Sequence, residues 1–162
     1  MKKVLINKLY EYISENNPDL LFHLEEDRKV AEYLTDKIST VSALIKQTDK
    51  GEPAYIIEDA CMNLLTQDLR PSKFNYISNV LEEDFAGTYQ QLQVSGTFKF
   101  EVINLINLCQ SVFDDLNFSE ETEDNQFIRY AIIVTIKEYF QAGAGENETV
   151  IDGVQQPTKT EG

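Results

Sequence analysis

The residues best placed for chemistry lie together in the stretch Arg70-Pro71-Ser72-Lys73, with Tyr76 one turn later. Ser72 is typical of a residue that caps a helix N-terminus, where free backbone N–H groups and a partial positive charge attract anions. Arg70 and Lys73 would add two cations, and Tyr76 an aromatic wall. The sequence therefore predicts a small-anion site formed by Arg70, Ser72, Lys73 and Tyr76.

The same stretch also has a purely structural interpretation. Ser72 would then only cap the helix, Phe74 would enter the core, and Arg70 and Lys73 would pair with acidic side chains such as Glu82. A chain with 28 acidic and 14 basic residues offers many partners of this kind. An anion site and a capped helix therefore both stay open.

Nucleophilic catalysis finds little support in the sequence. His23 is the only histidine, and it lies between Phe22 and Leu24, a setting typical of a partly buried structural histidine. Cys61 and Cys109 are each embedded in an apolar helical pattern, which predicts two buried free thiols. The chain has no glycine-rich phosphate loop and no Gly-x-Ser-x-Gly elbow. We therefore expect no catalytic residue and a non-enzymatic protein.

Metal binding is not predicted either. The loop that begins at Asp115 has oxygen ligands at alternating positions, as a calcium loop does. Glu120 replaces the glycine of its sixth position, however, and Gln126 replaces the bidentate glutamate of its twelfth. A di-iron site needs Glu-x-x-His pairs, and His23 has no glutamate three residues before it. The sequence predicts no metal site and no cofactor.

Helical periodicity accounts for most of the chain, and it predicts an all-α fold with a single compact domain of about six helices at residues 1–141. Residues 19–26 are expected to form a short connector, and the Gly- and Glu-rich residues 142–162 a flexible acidic tail. The predicted helices cover about residues 4–15, 27–46, 53–66, 72–85, 102–116 and 125–141.

Residues 89–102 carry two competing patterns. Apolar residues alternate with polar ones on both sides of Ser95-Gly96, which indicates a short hairpin with a two-residue turn. The strong helical run that follows directly favours a helix instead. Both interpretations stay open at this point.

The charge balance narrows the classes of partner. A net charge of -14 argues against direct binding of nucleic acid, because such binding neutralises phosphates with clustered cations. No apolar run approaches the roughly 18 residues that a membrane-spanning helix needs. The N-terminal stretch begins with two lysines, but no small-residue cleavage site follows it. A cytoplasmic protein without a membrane partner is therefore expected.

Three hypotheses for function follow from these observations. The first is a non-enzymatic interaction or accessory protein that binds another protein, or a second copy of itself, through a helix face. The second is an acidic decoy that imitates nucleic acid, and the third is a ligand-binding domain that uses Arg70 and Lys73. The tyrosines that would anchor a protein interface are Tyr10, Tyr33, Tyr55, Tyr89 and Tyr139.

Four stretches resemble an uncharacterised helical family of Bacteroidetes: "LINKLYEYISENNPD", "DRKVAEYLTDKI", "IIEDACMNLLTQDLRPSKFNYISNVLEEDF" and "INLCQSVFDDLNFSEE". Members of that family often carry His-Phe-Ser-Lys-Tyr-Asp where this chain has residues 70–75, and Pro71 departs from the aromatic residue usual there. The resemblance covers most of residues 4–141. It implies a compact multi-helical domain, often encoded near conjugative or other mobile elements, with no assigned catalytic residue.

Overall fold

The structure, a computed structural model, describes the backbone of residues 1–155 and the side chains of residues 1–143. In that part of the chain all regular structure is helical, which confirms the all-α prediction. It comprises ten α-helices rather than about six, with 3-10 helices at Lys46–Lys50 and Gln67–Leu69. The α-helices are α1 Lys2–Asn16, α2 Pro18–Glu26, α3 Val30–Ser39, α4 Ser42–Ile45, α5 Ala54–Leu65, α6 Lys73–Asp84, α7 Ala86–Ser95, α8 Phe98–Leu108, α9 Gln110–Asp115 and α10 Gln126–Gln155.

The chain divides into two units, Met1–Ile106 and Asn107–Gly162. A core in the first unit forms where α1, α3 and α5 meet, because each helix places apolar residues at helical spacing on one face. This core consists of Leu5, Leu9, Ile13, Leu34, Ile38, Val41, Ile57, Cys61 and Leu65. The assignment of residues 1–141 to one domain stays a prediction.

The helices predicted from the clearest periodicity are present. Periodicity and capping residues locate α1, α5 and α6 to within a few residues. Ser72 caps α6 as expected, since its Oγ accepts a hydrogen bond from the backbone N–H of Asn75 at 2.9 Å. Pro53 stands just before α5 as its N-cap.

The predicted connector at 19–26 is wrong, because this segment is helix α2. Asn17 occupies the N-cap position of α2, Pro18 the first helical position, and Asp19 the first turn. Proline is tolerated there because its missing N–H would have no helical acceptor, and an acidic residue is favoured near a helix N-terminus. The Asn-Pro-Asp sequence is therefore a helix start as much as a helix stop.

The single helix predicted at 27–46 is interrupted. Helix α3 ends at Ser39, where the Ser39 and Thr40 hydroxyls donate hydrogen bonds to the carbonyl oxygens of Asp36 and Lys37, both at 2.6 Å. Such side-chain bonds compete with continuation of the backbone ladder. The short helix α4 follows, and the chain then turns at Gly51, whose φ is +92°.

The hairpin considered for 89–102 is wrong, since helices α7 and α8 occupy this segment. Gly96 has a φ of +77° and follows the last residue of α7. A glycine with positive φ serves a hairpin turn and a helix C-terminus equally well, so local sequence does not separate the two. Phe98 packs edge-on against Phe74 and Tyr89, with ring centroids 6.2 and 5.2 Å apart, and so links α8 to α6 and α7.

The second unit contains α9 and the long α10. Ile128, Ile132 and Ile136 lie on one buried stripe of α10. Asn125 Oδ1 accepts a hydrogen bond from the backbone N–H of Phe127 at 2.7 Å, so a side chain pairs with the first turn of α10. The predicted flexible tail at 142–162 falls mostly on residues whose side chains lie outside the described part, and it stays a prediction.

Candidate functional site

The predicted anion-site residues have different partners, and the anion site itself stays a prediction. The Arg70 guanidinium lies over the last turn of α5, where its Nη2 donates to the carbonyl oxygen and to Oδ1 of Asn63, both at 3.1 Å. Its Nε donates to the carbonyl oxygen of Thr66 at 3.3 Å. The last carbonyl groups of a helix lack helical partners and carry partial negative charge, so a cation stabilises them. Arg70 therefore has a structural role at the end of α5.

The Ser72 hydroxyl takes part in two hydrogen bonds, one within α6 and one with the end of α1. Besides capping α6, its hydroxyl donates to the carbonyl oxygen of Asn16, at the end of α1. A second bond joins the same elements, because Asn75 Nδ2 donates to Asn16 Oδ1 at 2.9 Å. The start of α6 is thus attached to the end of α1. Tyr76, on the next turn of α6, is half-buried.

Lys73 lines a small pocket of 190 Å³ in the first unit. The pocket lies between the turn that joins α1 to α2 and the segment that leads into α6, which includes the cis peptide bond between Arg70 and Pro71. Arg70, Ser72 and Tyr76 are not among the residues that line it. Its lining consists of Asn17, Asp19, Leu20, Asp68, Leu69, Pro71 and Lys73. We call it the Asn17 pocket.

Two of the residues that line the Asn17 pocket each have a buried side-chain oxygen. Asn17 is only 9% exposed, and its Nδ2 donates to the carbonyl oxygen of Leu69 at 3.3 Å. No protein group in the described part of the chain donates to Asn17 Oδ1 or to Asp19 Oδ1. Burial raises the pKa of Asp19 above its ordinary value. The backbone N–H groups at the start of α2, together with Lys73, act in the opposite direction.

One of the lining residues, Asp68, takes part in an ion pair. Lys37 Nζ, on α3, donates to both carboxylate oxygens of Asp68 at 2.9 Å. Burial and, to a lesser degree, the charge of Asp68 raise the pKa of the nearby Tyr33 hydroxyl to about 12. The pocket lining therefore carries two carboxyl groups, Asp19 and Asp68, and one ammonium group, Lys73, and Lys37 pairs with Asp68 from outside the lining.

Sequence reasoning missed Asn17 and Asp19, because it places Asn17 after the end of the first helix and Asp19 in a connector at 19–26, with no helix start between them. The available signal was the helix start described above: an asparagine before a proline at the first position of a helix. That signal locates both side chains at the turn. It does not predict that the carbonyl oxygen of Leu69, 52 residues later, would accept a hydrogen bond from Asn17.

A second candidate surface lies on α5. Ile56, Ala60 and Leu64 recur every four residues and form a stripe beside the core face of this helix, which we call the α5 stripe. Ile56 is 45% exposed and Leu64 50%. Tyr55, next to the stripe, is 69% exposed. Among the predicted anchors, Tyr10 and Tyr55 are exposed, whereas Tyr33, Tyr89 and Tyr139 are partly buried.

The nucleophile candidates lie in settings that disfavour catalysis. Cys61 and Cys109 are buried free thiols, as predicted. Burial raises the pKa of both, for Cys109 to about 11, so the reactive thiolate is scarce at neutral pH. His23 is exposed rather than partly buried, because it lies on the outer face of α2, with Nδ1 3.6 Å from Glu26 Oε1.

The acidic groups also have defined places. Glu25, Glu26 and Asp27 are exposed at the end of α2, and residues 82–84 are exposed at the end of α6.

Within the described residues, no three His, Cys, Asp or Glu side chains are arranged to hold a metal ion. None of the helices searched in that same part is long and apolar enough to cross a bilayer. The decoy hypothesis stays a prediction.

No protein-family model, no curated protein and no solved structure matches this chain. The resemblance of residues 4–141 to a helical family of Bacteroidetes therefore stays a prediction.

Proposed function

We propose that this chain is a non-enzymatic interaction protein that binds another protein through the α5 stripe. The observation that supports the proposal is the exposure of Ile56 and Leu64 on a helix whose adjacent face, with Ile57 and Leu65, is already buried in the core. An apolar face that extends beyond the part covered by the core is expected to be covered by another surface. The partner protein would bury the α5 stripe.

The energetics agree with a contact surface of modest strength. Full burial of a leucine or isoleucine side chain contributes about 1.5–3 kcal/mol. Since Ile56 and Leu64 are each about half exposed, a partner that covers them gains about 1 kcal/mol from each. Tyr55 adds a large exposed ring beside them, and aromatic rings are common anchors of protein interfaces.

The charges around the stripe indicate the chemistry of the partner. Glu52 and Asp59 are exposed one turn before and one turn after Ile56, and the chain as a whole carries a net charge of -14. Complementary charge at the rim of an interface accelerates association and disfavours partners of like charge. We therefore expect a partner whose apolar contact surface is bordered by lysine or arginine residues.

The test compares two charge insertions at exposed apolar positions. The variant Ile56→Glu with Leu64→Glu places carboxylates on the stripe, and Val94→Glu on α7 is the matched control, because Val94 is 85% exposed away from α5. Proteins retained from the native host by the wild-type chain and by Val94→Glu, but lost with the double variant, are then purified. Their affinity for the three chains is measured by calorimetry. Equal affinity for all three would contradict the proposal.

Self-association is a separate outcome of the same experiment. Sedimentation of the purified wild-type chain and of the double variant shows whether the stripe joins two copies. A dimer that becomes monomeric only in the double variant would assign the stripe to self-association. The proposal of a different partner protein would then be wrong.

A further inference from the structure

The first turns of α10 carry large apolar side chains on the side that faces away from its buried isoleucine stripe. Phe127 is 69% exposed and Tyr130 68%, and Val134 is half-buried. Because about 3.6 residues make one turn, these three residues lie on one side of α10, and the isoleucine stripe lies on the opposite side. We call the three residues the α10 face.

An acidic loop leads directly into this face. The Thr122 hydroxyl donates to the carbonyl oxygen of Asn117 and accepts from the backbone N–H of Ser119, both at 2.8 Å. The Thr122 carbonyl oxygen accepts from the backbone N–H of Asn125 at 2.9 Å, and Asn125 Oδ1 accepts from the N–H of Phe127. These bonds hold the loop at the start of the α10 face.

The charges of the loop indicate the chemistry of an occupant. Glu121 and Asp124 are exposed, Glu123 is half-buried, and Arg129 is the only basic residue in the sequence between 121 and 130. A helix N-terminus adds about half a positive charge, so the three carboxylates prevail. Nucleic acid and anionic lipid are therefore repelled, and a second copy of this chain, with a net charge of -14, is disfavoured for the same reason. The complementary surface is cationic.

The aromatic rings suit the same kind of occupant. A guanidinium or ammonium group is attracted to the face of a Phe or Tyr ring, and the stem of an Arg or Lys side chain packs on apolar surface. Phe127, Tyr130 and Val134 extend over two helical turns, a length of about 10 Å. Residues at this spacing form the ridge along which one helix packs against another.

We propose that the α10 face binds a basic amphipathic helix of another protein. Apolar residues of that helix cover Phe127, Tyr130 and Val134, and its arginine or lysine residues lie toward Glu121 and Asp124. The α10 face belongs to the second unit of the chain and the α5 stripe to the first, so this inference does not depend on the proposed function.

The first experiment titrates the full wild-type chain with three synthetic 14-residue helical peptides, while the backbone amide resonances of the chain are followed by NMR. One peptide carries leucine on one side and arginine on the other, the second has glutamate for each arginine, and the third has alanine for each leucine. We expect saturable shifts at Asp124, Phe127, Tyr130 and Val134 with the first peptide, and binding at least about tenfold weaker with the other two. No saturable shift, shifts confined to α5, or equal binding of all three peptides would overturn the proposal.

The second experiment removes the aromatic rings. Phe127→Ser with Tyr130→Ser should weaken binding of the arginine–leucine peptide at least about tenfold, because aromatic anchors dominate such interfaces. Phe100→Ser on α8 is the control, since Phe100 is 64% exposed and lies in the first unit. Equal affinity of the two variants would contradict the proposal. If the double variant does not fold, the wild-type shift map and the charge variants decide.

The third experiment removes two carboxylates. Glu121→Gln with Asp124→Asn should weaken binding about fivefold at low salt and reduce its salt dependence. Glu25→Gln with Asp27→Asn, at the exposed end of α2, changes the net charge equally and should leave the affinity near that of the wild type. An equal loss in both variants would mean that only the overall charge attracts the peptide, and the proposal would be wrong.

A lipid surface is a separate outcome. The wild-type chain and Phe127→Ser with Tyr130→Ser are sedimented with phosphatidylcholine vesicles, and we expect neither to bind. Binding by the wild type that the double variant loses would assign the α10 face to lipid and overturn the proposal.

Discussion

The α5 stripe and the Asn17 pocket depart from the usual distribution of side chains in opposite ways. On the stripe, Ile56 and Leu64 face solvent although they are apolar. In the pocket, Asn17 Oδ1 and Asp19 Oδ1 are buried although they are polar. Both departures lie in the first unit of the chain. On α5 the next residue follows the usual distribution, because Leu65, beside the exposed Leu64, is buried.

The two departures differ in free energy. An exposed leucine forgoes a stabilising contribution but strains nothing, and single exposed apolar residues are common in proteins. A buried oxygen without a donor costs about 1–3 kcal/mol, because it has lost its hydrogen bonds to water. The two buried oxygens are therefore the more costly of the two departures. The stripe indicates a contact surface because its apolar residues repeat along one helix.

The largest expected effect separates the two sides of α5. Leu65→Ala should lower the free energy of unfolding by about 2–5 kcal/mol, since Leu65 is 1% exposed in the core. Leu64→Ala, one residue away, should change it by no more than about 0.5 kcal/mol. Urea unfolding followed by circular dichroism measures both. A comparable loss in the two variants would mean that the stripe is covered within the chain, and the α5 proposal would lose its basis.

A smaller effect is expected where the pocket is assembled. Ser72→Ala should reduce the free energy of unfolding by about 1–2 kcal/mol, because it removes the cap of α6 and leaves the Asn16 carbonyl without its donor. Ser39→Ala is the control, since the Ser39 hydroxyl bonds only within its own helix end. Urea unfolding of the two variants gives the difference. Equal stability would show that the attachment of α1 to α6 does not depend on Ser72.

The pH dependence tests the buried carboxyl group directly. Burial raises the pKa of Asp19 above its ordinary value of 3.8, so folding favours the protonated form. Its stabilising contribution is complete below the unfolded-state pKa and is lost as the pH rises through the folded-state pKa. Asn cannot ionise, so the stability of Asp19→Asn relative to the wild type should increase with pH across that interval. Thermal melts at several pH values measure the stability difference between Asp19→Asn and the wild type, with Asp36→Asn, the same change at an exposed position of α3, as the control. A difference that does not change with pH would indicate that Asp19 is solvated.

The smallest expected effect concerns the ion pair between Lys8 and Glu58, which joins α1 to α5. Its hydrogen bond to Glu58 raises the pKa of Lys8, but the side chain is well solvated. We therefore expect Lys8→Met to lower the melting temperature slightly at low salt and not measurably at high salt. The exposed Lys3 of the same helix provides the control, Lys3→Met. A large loss at high salt would mean that packing of the Lys8 stem, rather than its charge, joins the two helices.

Much of the fold follows from local sequence. Apolar residues at helical spacing locate α1, α5 and α6, and Ser72 marks the start of α6 correctly. The errors arise where a local signal has two meanings. Gly96 fits a hairpin turn and a helix end, and the Asn-Pro-Asp turn both ends α1 and begins α2. The tertiary contacts at these places are the packing of Phe98 on Tyr89 around Gly96 and the hydrogen bond from Asn17 to Leu69 at the start of α2.

The sequence by itself determined the all-α class, the limits of α1, α5 and α6, the excess of acidic charge and the burial of both cysteines, because periodicity, capping and composition act over a few residues. Only the tertiary structure decided which side of α5 faces solvent and which groups surround Lys73. Arg70 lies over α5, and Asp68 pairs with Lys37 from 31 residues away. Such contacts depend on how helices distant in sequence pack, so local sequence does not predict the surroundings of Arg70 and Lys73.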